Sequence, residues 1–357
     1  MCLQFGSGVN SAKAEGNSIT IGNWENYIDP QLIKEFENLS STKVNMVTFS
    51  SNEQLEQLME DGDIKFDLVV PSLNLFGVRG ITKGYYQALD KSRIKNYKNI
   101  DPQTLQFMAL SGDFDNNYAI PWASGNIVLG YIPKLIKKNL RTPPINSLSL
   151  VFDLQVVQKL RKCGVLIIDS PSEMIPMMLK YLGKNPNSED LNDLQLALTK
   201  LKQLRPYYKY INSVEYYTQL AQGKICVALG YSNDLLMGRS KGSKKLIKNN
   251  IAVSNIREGS VAYVDSMMIP KNAKNLDAAY QFINFMLRPE NSSRNSEYLQ
   301  SNTSNIPAKQ YLPTELLEDK IIFPSDDERS RFFSLYMQTS EYDKKRIEGW
   351  EAMKNSR

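Results

Sequence analysis

The chain has 357 residues, 42% hydrophobic and 23% charged, with 43 basic and 38 acidic side chains giving a net charge of +5. That is an ordinary globular composition, long enough for two lobes with separate cores, and its interspersed charges give no reason to expect a nucleic-acid partner. Histidine is absent, which removes histidine triads, general bases and metal ligands together, and Cys2, Cys163 and Cys226 form no C-x-x-C, so no zinc or dithiol redox motif is expected.

Residues 1–17 are expected to form an unstructured, export-related segment. Either Cys2 is a lipoprotein cysteine, or Ala12-Lys13-Ala14 is an A-x-A cleavage site at the end of a signal peptide; a disordered cytoplasmic tail is the weaker alternative. No apolar run reaches the roughly 18 residues that span a bilayer.

Ser18-Ile19-Thr20-Ile21 alternates as a strand and leads into Asn23-Trp24-Glu25-Asn26-Tyr27. Asp29 is a good N-cap with Pro30 at the first helical position, and Leu32, Ile33 and Phe36 make an apolar stripe. Val44–Thr48 reads as a strand, Glu53–Glu60 as a helix and Phe66–Pro71 as a buried strand ending at Ser72. The β-α-β-α-β order predicts a parallel sheet, whose ligands bind outside the carboxyl ends of the strands, where Trp24, Tyr27 and Ser72 fall.

A second α/β block follows. Strands are predicted over Asn126–Ile132, Val165–Asp169 and Ile225–Tyr231, and helices over Ser172–Leu182, Glu189–Leu204 and Ser213–Gln222. The basic run Arg239, Lys241, Lys244, Lys245 and Lys248 reads as a solvated face. Two further strands, Ile251–Ile256 and Val261–Met268, precede a helix over Leu276–Leu287, with Pro289 just beyond it.

Two strand ends carry the chemistry. Trp24 and Tyr27 follow the first strand, and Tyr263 and Asp265 share one face of a late one, since side chains alternate with period two. Aromatic faces and a carboxylate suit an organic cation: the ring quadrupole attracts an ammonium and the acid pairs with it. Ser170-Pro171-Ser172-Glu173 has the form of a capping box, so Glu173 could serve the helix, a ligand, or both. Tyr231 ends a buried strand and competes with a packing role.

Five islands in order carry a family resemblance over nearly the whole chain from Ile19. They are Gly22-Asn23-Trp24 with Tyr27; Phe66-Asp67-Leu68-Val69-Val70-Pro71-Ser72; Ile120-Pro121-Trp122 with Gly125; Asp265-Ser266-Met267-Met268-Ile269-Pro270; and Ile283-Asn284-Phe285-Met286-Leu287-Arg288-Pro289-Glu290. The chain resembles the spermidine/putrescine-binding proteins of bacterial ABC importers. The resemblance implies an α/β, two-lobed periplasmic-binding-protein fold, each lobe a mostly parallel sheet flanked by helices, with the ligand cleft between the lobes. It implies a periplasmic, non-enzymatic monomer, membrane-anchored if Cys2 is lipidated, that closes on a polyamine and delivers it to a membrane permease. No cofactor, metal or nucleic acid is expected. Lobe one is expected over 18–123 and 267–305, and lobe two over 124–266 and 306–357.

Residue by residue, Trp24, Tyr27, Ser72, Glu173, Tyr231, Tyr263 and Asp265 match the family's ligand-contacting positions. This chain departs in four places. Asn74 stands where an aromatic is common. A second acid expected at Ser170 is displaced to Asp169. Family tryptophans are Tyr231 and Tyr263 here. The late glutamine contact has Tyr336 or Gln338 as a stand-in. Two other classes compete: a ferric-iron-binding protein using Tyr207-Tyr208 and Tyr216-Tyr217, and a hydrolase using paired carboxylates. Adjacent helical residues diverge by about 100°, which disfavours the first, and no nucleophile motif supports the second.

Overall fold

The computed structural model describes residues 17–214, 216–241 and 250–356. The expectations for residues 1–16, and for Lys244, Lys245 and Lys248 of the basic run, lie outside them. Arg239 pairs with Asp319, so that residue is tied down rather than simply solvated.

The strands are β1 (Ser18–Trp24), β2 (Lys43–Phe49), β3 (Leu68–Val69), β4 (Ala119–Tyr131), β5 (Val165–Ile167), β6 (Tyr210–Ile211), β7 (Val227–Tyr231), β8 (Ala252–Ser254), β9 (Ser260–Met268) and β10 (Phe332–Phe333). They follow the order β2-β1-β3-β9-β4-β7-β5-β6, with β8 on β4 and β10 on β9. The fold has two lobes. In the first, β2, β1 and β3 are parallel, as the β-α-β-α-β order requires. In the second, β7, β5 and β6 are parallel.

Alternation along β1 and β3 divides the first lobe's interior. Ile19, Ile21, Leu68 and Val70 face a core shared with Leu32 and Phe36 of helix Pro30–Ser40 and with Phe282 and Ile283 of helix Leu276–Met286. Val69 faces the other way, onto Phe49, Leu55, Phe66 and Leu73. The second lobe has its own core, in which β4, β5 and β7 contribute Leu129, Val165 and Leu229, and the C-terminal helix Ser340–Lys354 contributes Trp350. Burial of these apolar faces is the main stabilising term for each lobe.

Strands β4 and β9 run antiparallel from one lobe into the other. β4 pairs with β9 over Ala119–Asn126 and with β7 over Ile127–Tyr131. On β9, Val261 packs in the second core and Met267 in the first. The register slips between Pro121 and Ala123, a local irregularity that bends such a strand.

Several elements differ from the sequence reading. β4 begins seven residues before Asn126. The helix after β6 is described over Tyr216–Ala221, where Ser213–Gln222 was expected; before it, Asn212 Oδ1 accepts from Val214 N and Ser213 Oγ from Asp169 N. Pro289 is not simply a terminator; it opens helix Pro289–Leu299 at N1. The capping box at Ser170 does not form: Ser170 makes no side-chain cap bond, and its hydroxyl lies 3.2 Å from Ser172 Oγ instead.

One covalent tie was not legible in the spacing of the cysteines. Cys163 and Cys226 form a disulfide beside the starts of β5 and β7.

Candidate functional site: a cleft between the lobes

All eight candidate residues come to the lobe boundary. A hollow of about 140 Å³ is lined by Trp24, Tyr27, Ser72, Tyr231, Tyr263 and Asp265. A neighbouring one of about 30 Å³ shares Trp24, Ser72, Tyr231 and Tyr263 with it and adds Asp169 and Glu173. The smaller space holds about two waters, so it is an extension of the larger hollow rather than a second ligand site.

The backbone explains the convergence. Trp24, Ser72, Asp169 and Tyr231 lie at or just past the carboxyl ends of parallel strands β1, β3, β5 and β7. Tyr263 and Asp265 alternate with Val264 on β9, so both face the hollow while Val264 packs on the first lobe's core. Gly125 opposes Tyr263 on β4, and a Cβ there would sit 2.5 Å from the tyrosine oxygen. Glycine at this point leaves room for the end of the Tyr263 ring.

Asp265, 4% exposed, has both oxygens engaged by donors: Tyr27 Oη donates to one at 2.6 Å and Ser72 Oγ to the other at 2.6 Å. Burial still pushes its carboxyl up to about 6, against the lowering effect of those two bonds. Glu173 accepts a hydrogen bond from Tyr231 Oη at 2.6 Å. Burial raises Glu173 to about 7; Tyr231 and Ser170 oppose the shift, and the charges of Glu53 and Asp265 add to it. Asp265 is buried and Glu173 half-buried, and both carboxyls resist ionisation.

The rings form the walls. Trp24 is oriented by donation from Nε1 to Val70 O at 2.8 Å and packs on Phe49 at 4.8 Å. Tyr231 and Tyr263 meet edge to face at 5.7 Å. Burial lifts the phenols of Tyr27, Tyr231 and Tyr263 well above their usual value, so all three remain neutral donors.

Asp169 lies at the edge of the site with its carboxylate committed elsewhere. Trp350 Nε1 donates to one oxygen at 2.7 Å and Lys354 Nζ to the other at 2.8 Å. Tyr336 and Gln338 line neither hollow; Gln338 instead accepts from Arg346 at 2.7 Å. The tyrosine pairs do not gather into one cluster of oxygens, although the Tyr216 and Tyr217 rings meet edge to face at 6.2 Å. Tyr208 donates to Val151 O, Tyr216 receives Tyr231 N, and of the four only Tyr217 lines the hollow.

Several lining residues escaped the sequence reading, among them Phe49, Asn233 and Asp234. Asn233 Nδ2 donates to Tyr27 Oη at 3.2 Å, a bond between lobes. Asp234 adds negative potential beside Tyr27, Tyr216 and Tyr263. Its signal was present: Tyr231-Ser232-Asn233-Asp234 is a strand end running directly into helix Ser232–Lys241. An acid in the first turn of a helix is common enough to pass unnoticed.

This architecture and cleft are those of a solute-binding protein. Residues 31–320 match the bacterial extracellular solute-binding protein family, and the chain belongs to it. Membership assigns the protein to the extracytoplasmic side, in keeping with a disulfide. Among its relatives is the putrescine-binding periplasmic protein PotF of Escherichia coli, 35% identical over 98% of this chain and 94% of that protein. The putrescine-binding periplasmic protein SpuD of Pseudomonas aeruginosa is 32% identical over 99% of this chain and 96% of that one. In structure, the spermidine/putrescine ABC transporter substrate-binding protein PotD of Streptococcus pneumoniae superposes with a TM-score of 0.76 at 28% identity, covering 95% of this chain and 98% of that one.

Proposed function

We propose that this protein captures a polyamine, putrescine or spermidine, in the cleft between its lobes and delivers it as a monomer to the permease of an ABC importer. It acts as a binding component, not a catalyst. One observation carries the reading: a buried carboxyl, Asp265, and a half-buried one, Glu173, flank an aromatic hollow, and each is held by a neutral donor. A polyamine carries ammonium groups separated by methylenes, and an unpaired buried ammonium would be prohibitive. Asp265 takes one end and Glu173 the other, while Trp24, Tyr27, Tyr231 and Tyr263 enclose the methylenes and Ser72 fixes Asp265. Asp169 supports the Glu173 side through its neighbours and does not pair with ligand directly. Relatives named for putrescine binding, similar over nearly their full length, support the same class.

Lobe one is assigned to 18–123 and 267–305 and lobe two to 124–266 and 306–357, a division supported by the separate cores and by the crossovers in β4 and β9. Cys2 is the residue through which the chain would be anchored as a lipoprotein.

Calorimetry with putrescine, spermidine, amino acids and sugars tests the function. Heat is expected with the polyamines alone, together with a melting temperature that rises with their concentration. No heat and no thermal shift with either polyamine would falsify the proposal.

A further inference from the structure

The C-terminal helix belongs to the second lobe, where Tyr342, Trp350 and Met353 pack in the core. Its first turn also meets the first lobe. Asp343, 7% exposed, accepts a hydrogen bond from Arg79 Nη1 at 3.1 Å. Arg79 sits on helix Val78–Thr82, whose Val78 and Ile81 pack against the first lobe. Each partner has a second counter-ion on its own side. Arg79 Nε lies 3.1 Å from Glu56 Oε1, as an ion pair not aligned for a hydrogen bond, and Arg346 Nη2 lies 3.0 Å from Asp343 Oδ1 in the same manner.

Four charges therefore alternate in sign across the boundary, in the order Glu56, Arg79, Asp343, Arg346. Parting the lobes at the central contact leaves two neutral pairs, Glu56–Arg79 and Asp343–Arg346, and no orphaned ion. The contact can thus be made and broken without leaving an uncompensated buried charge, the costly outcome for such pairs. The chain beside it is drawn toward the second lobe. Leu75 and Phe76 leave the first lobe to pack in the second core, Phe76 lies under the Arg79 guanidinium at 4.8 Å, and Leu75 holds a left-handed φ of 68°. A branched side chain adopts that conformation only when surrounding contacts enforce it. Neither Arg79 nor Asp343 lines either hollow of the cleft.

We propose that Arg79 and Asp343 form a closure latch: positioning residues that never touch the ligand but hold the lobes together over it and set its dissociation rate. The inference rests on the closing-cleft reading above.

The test uses the full chain as Asp343→Asn, Arg79→Lys and the double variant. Arg79→Lys keeps a cation beside Glu56 while shortening the reach to Asp343, which guards against simple misfolding. Putrescine dissociation is followed by tryptophan fluorescence in stopped flow, and lobe opening in the ligand-free protein by small-angle scattering. Each single variant is expected to dissociate about tenfold faster. The double variant should be no faster than the faster single, because both remove one contact. The ligand-free ensemble should shift toward the open form in both single variants; the melting temperature should hold in Arg79→Lys, whereas Asp343→Asn also deprives buried Arg346 of its counter-ion and should lower it. An unchanged dissociation rate, or multiplicative effects in the double variant, would overturn the latch. If the unsubstituted protein fails to bind putrescine, the ligand reading falls and scattering alone decides: the latch stands if Asp343→Asn opens the lobes and is refuted if it does not.

Discussion

Tyr27 and Asp265 lie 238 positions apart in sequence and are joined by a 2.6 Å hydrogen bond in which the tyrosine donates. The bond links the loop after β1 to the crossover strand β9, so Asp265 is held by the first wall of the cleft. Ser72 at the end of β3 completes the grip. A ligand ammonium would meet a carboxylate already fixed in place.

Charge and ring contribute unequally at this point. Asp265→Asn preserves shape but removes the countercharge, and loss of one partner of a desolvated pair costs about 2–5 kcal/mol. Tyr263→Leu preserves an apolar wall but removes the quadrupole, for about 0.5–2 kcal/mol. Titration calorimetry with putrescine should therefore rank Asp265→Asn as the weaker binder. The ligand-free melting temperature should not drop in Asp265→Asn, because burial already disfavours the ionised acid.

Glu173 separates a structural from a ligand role. Its carboxylate bonds Tyr231 Oη rather than its own helix terminus, so Glu173→Gln can keep that acceptor and the fold. Polyamine affinity should nevertheless fall by about 2 kcal/mol or more, the loss expected of a desolvated charge pair. Normal affinity in both Glu173→Gln and Asp265→Asn would put the cation site elsewhere.

Proton linkage follows from the two raised acids. In the ligand-free protein Asp265 stands near 6 and Glu173 near 7, both raised chiefly by burial. A bound ammonium favours their ionised forms, so binding releases protons and affinity climbs as pH rises from about 5 to about 7. Calorimetry in buffers of different ionisation enthalpy should detect that release. The sign for folding is opposite. A raised folded-state value means these acids favour the folded state below the unfolded value near 4, a contribution lost as pH climbs through 6 and 7. The melting temperature should respond to added polyamine most strongly above pH 7. Affinity independent of pH across this window would contradict the assignment.

The Cys163–Cys226 bridge spans 63 positions within the second lobe. Closing a loop of that length restricts the unfolded chain, and removing the bridge should cost about 2–4 kcal/mol. The double substitution to serine should lower the melting temperature and raise susceptibility to proteolysis, with little change in polyamine affinity once folded, because neither cysteine lines the cleft. Equal melting temperatures with and without reductant would count against the bridge.

Local pattern was enough for the opening elements of the first lobe. Alternation from Ser18 to Ile21 and Pro30 after an Asp cap each act within a few residues and mark a strand and a helix that form there, whereas the strand expected over Phe66–Pro71 is confined to Leu68–Val69. The same local logic misjudged Ser170–Glu173, because a capping box competes with a tyrosine from β7 that is 58 residues away and invisible to it. It also missed the disulfide, since a spacing of 63 carries no sign of which strands become neighbours.

By itself the sequence determined which aromatics and acids stand at strand ends, where backbone direction turns them toward the lobe boundary. Tertiary structure decided how each acid is engaged. Asp169 and Glu173 are four residues apart, yet Trp350 and Lys354 claim the first while the second faces a neutral tyrosine. The difference arises from where the C-terminal helix docks. Docking is set by burial of Tyr342, Trp350 and Met353 in the second core, a many-residue packing outcome that no short window of sequence encodes.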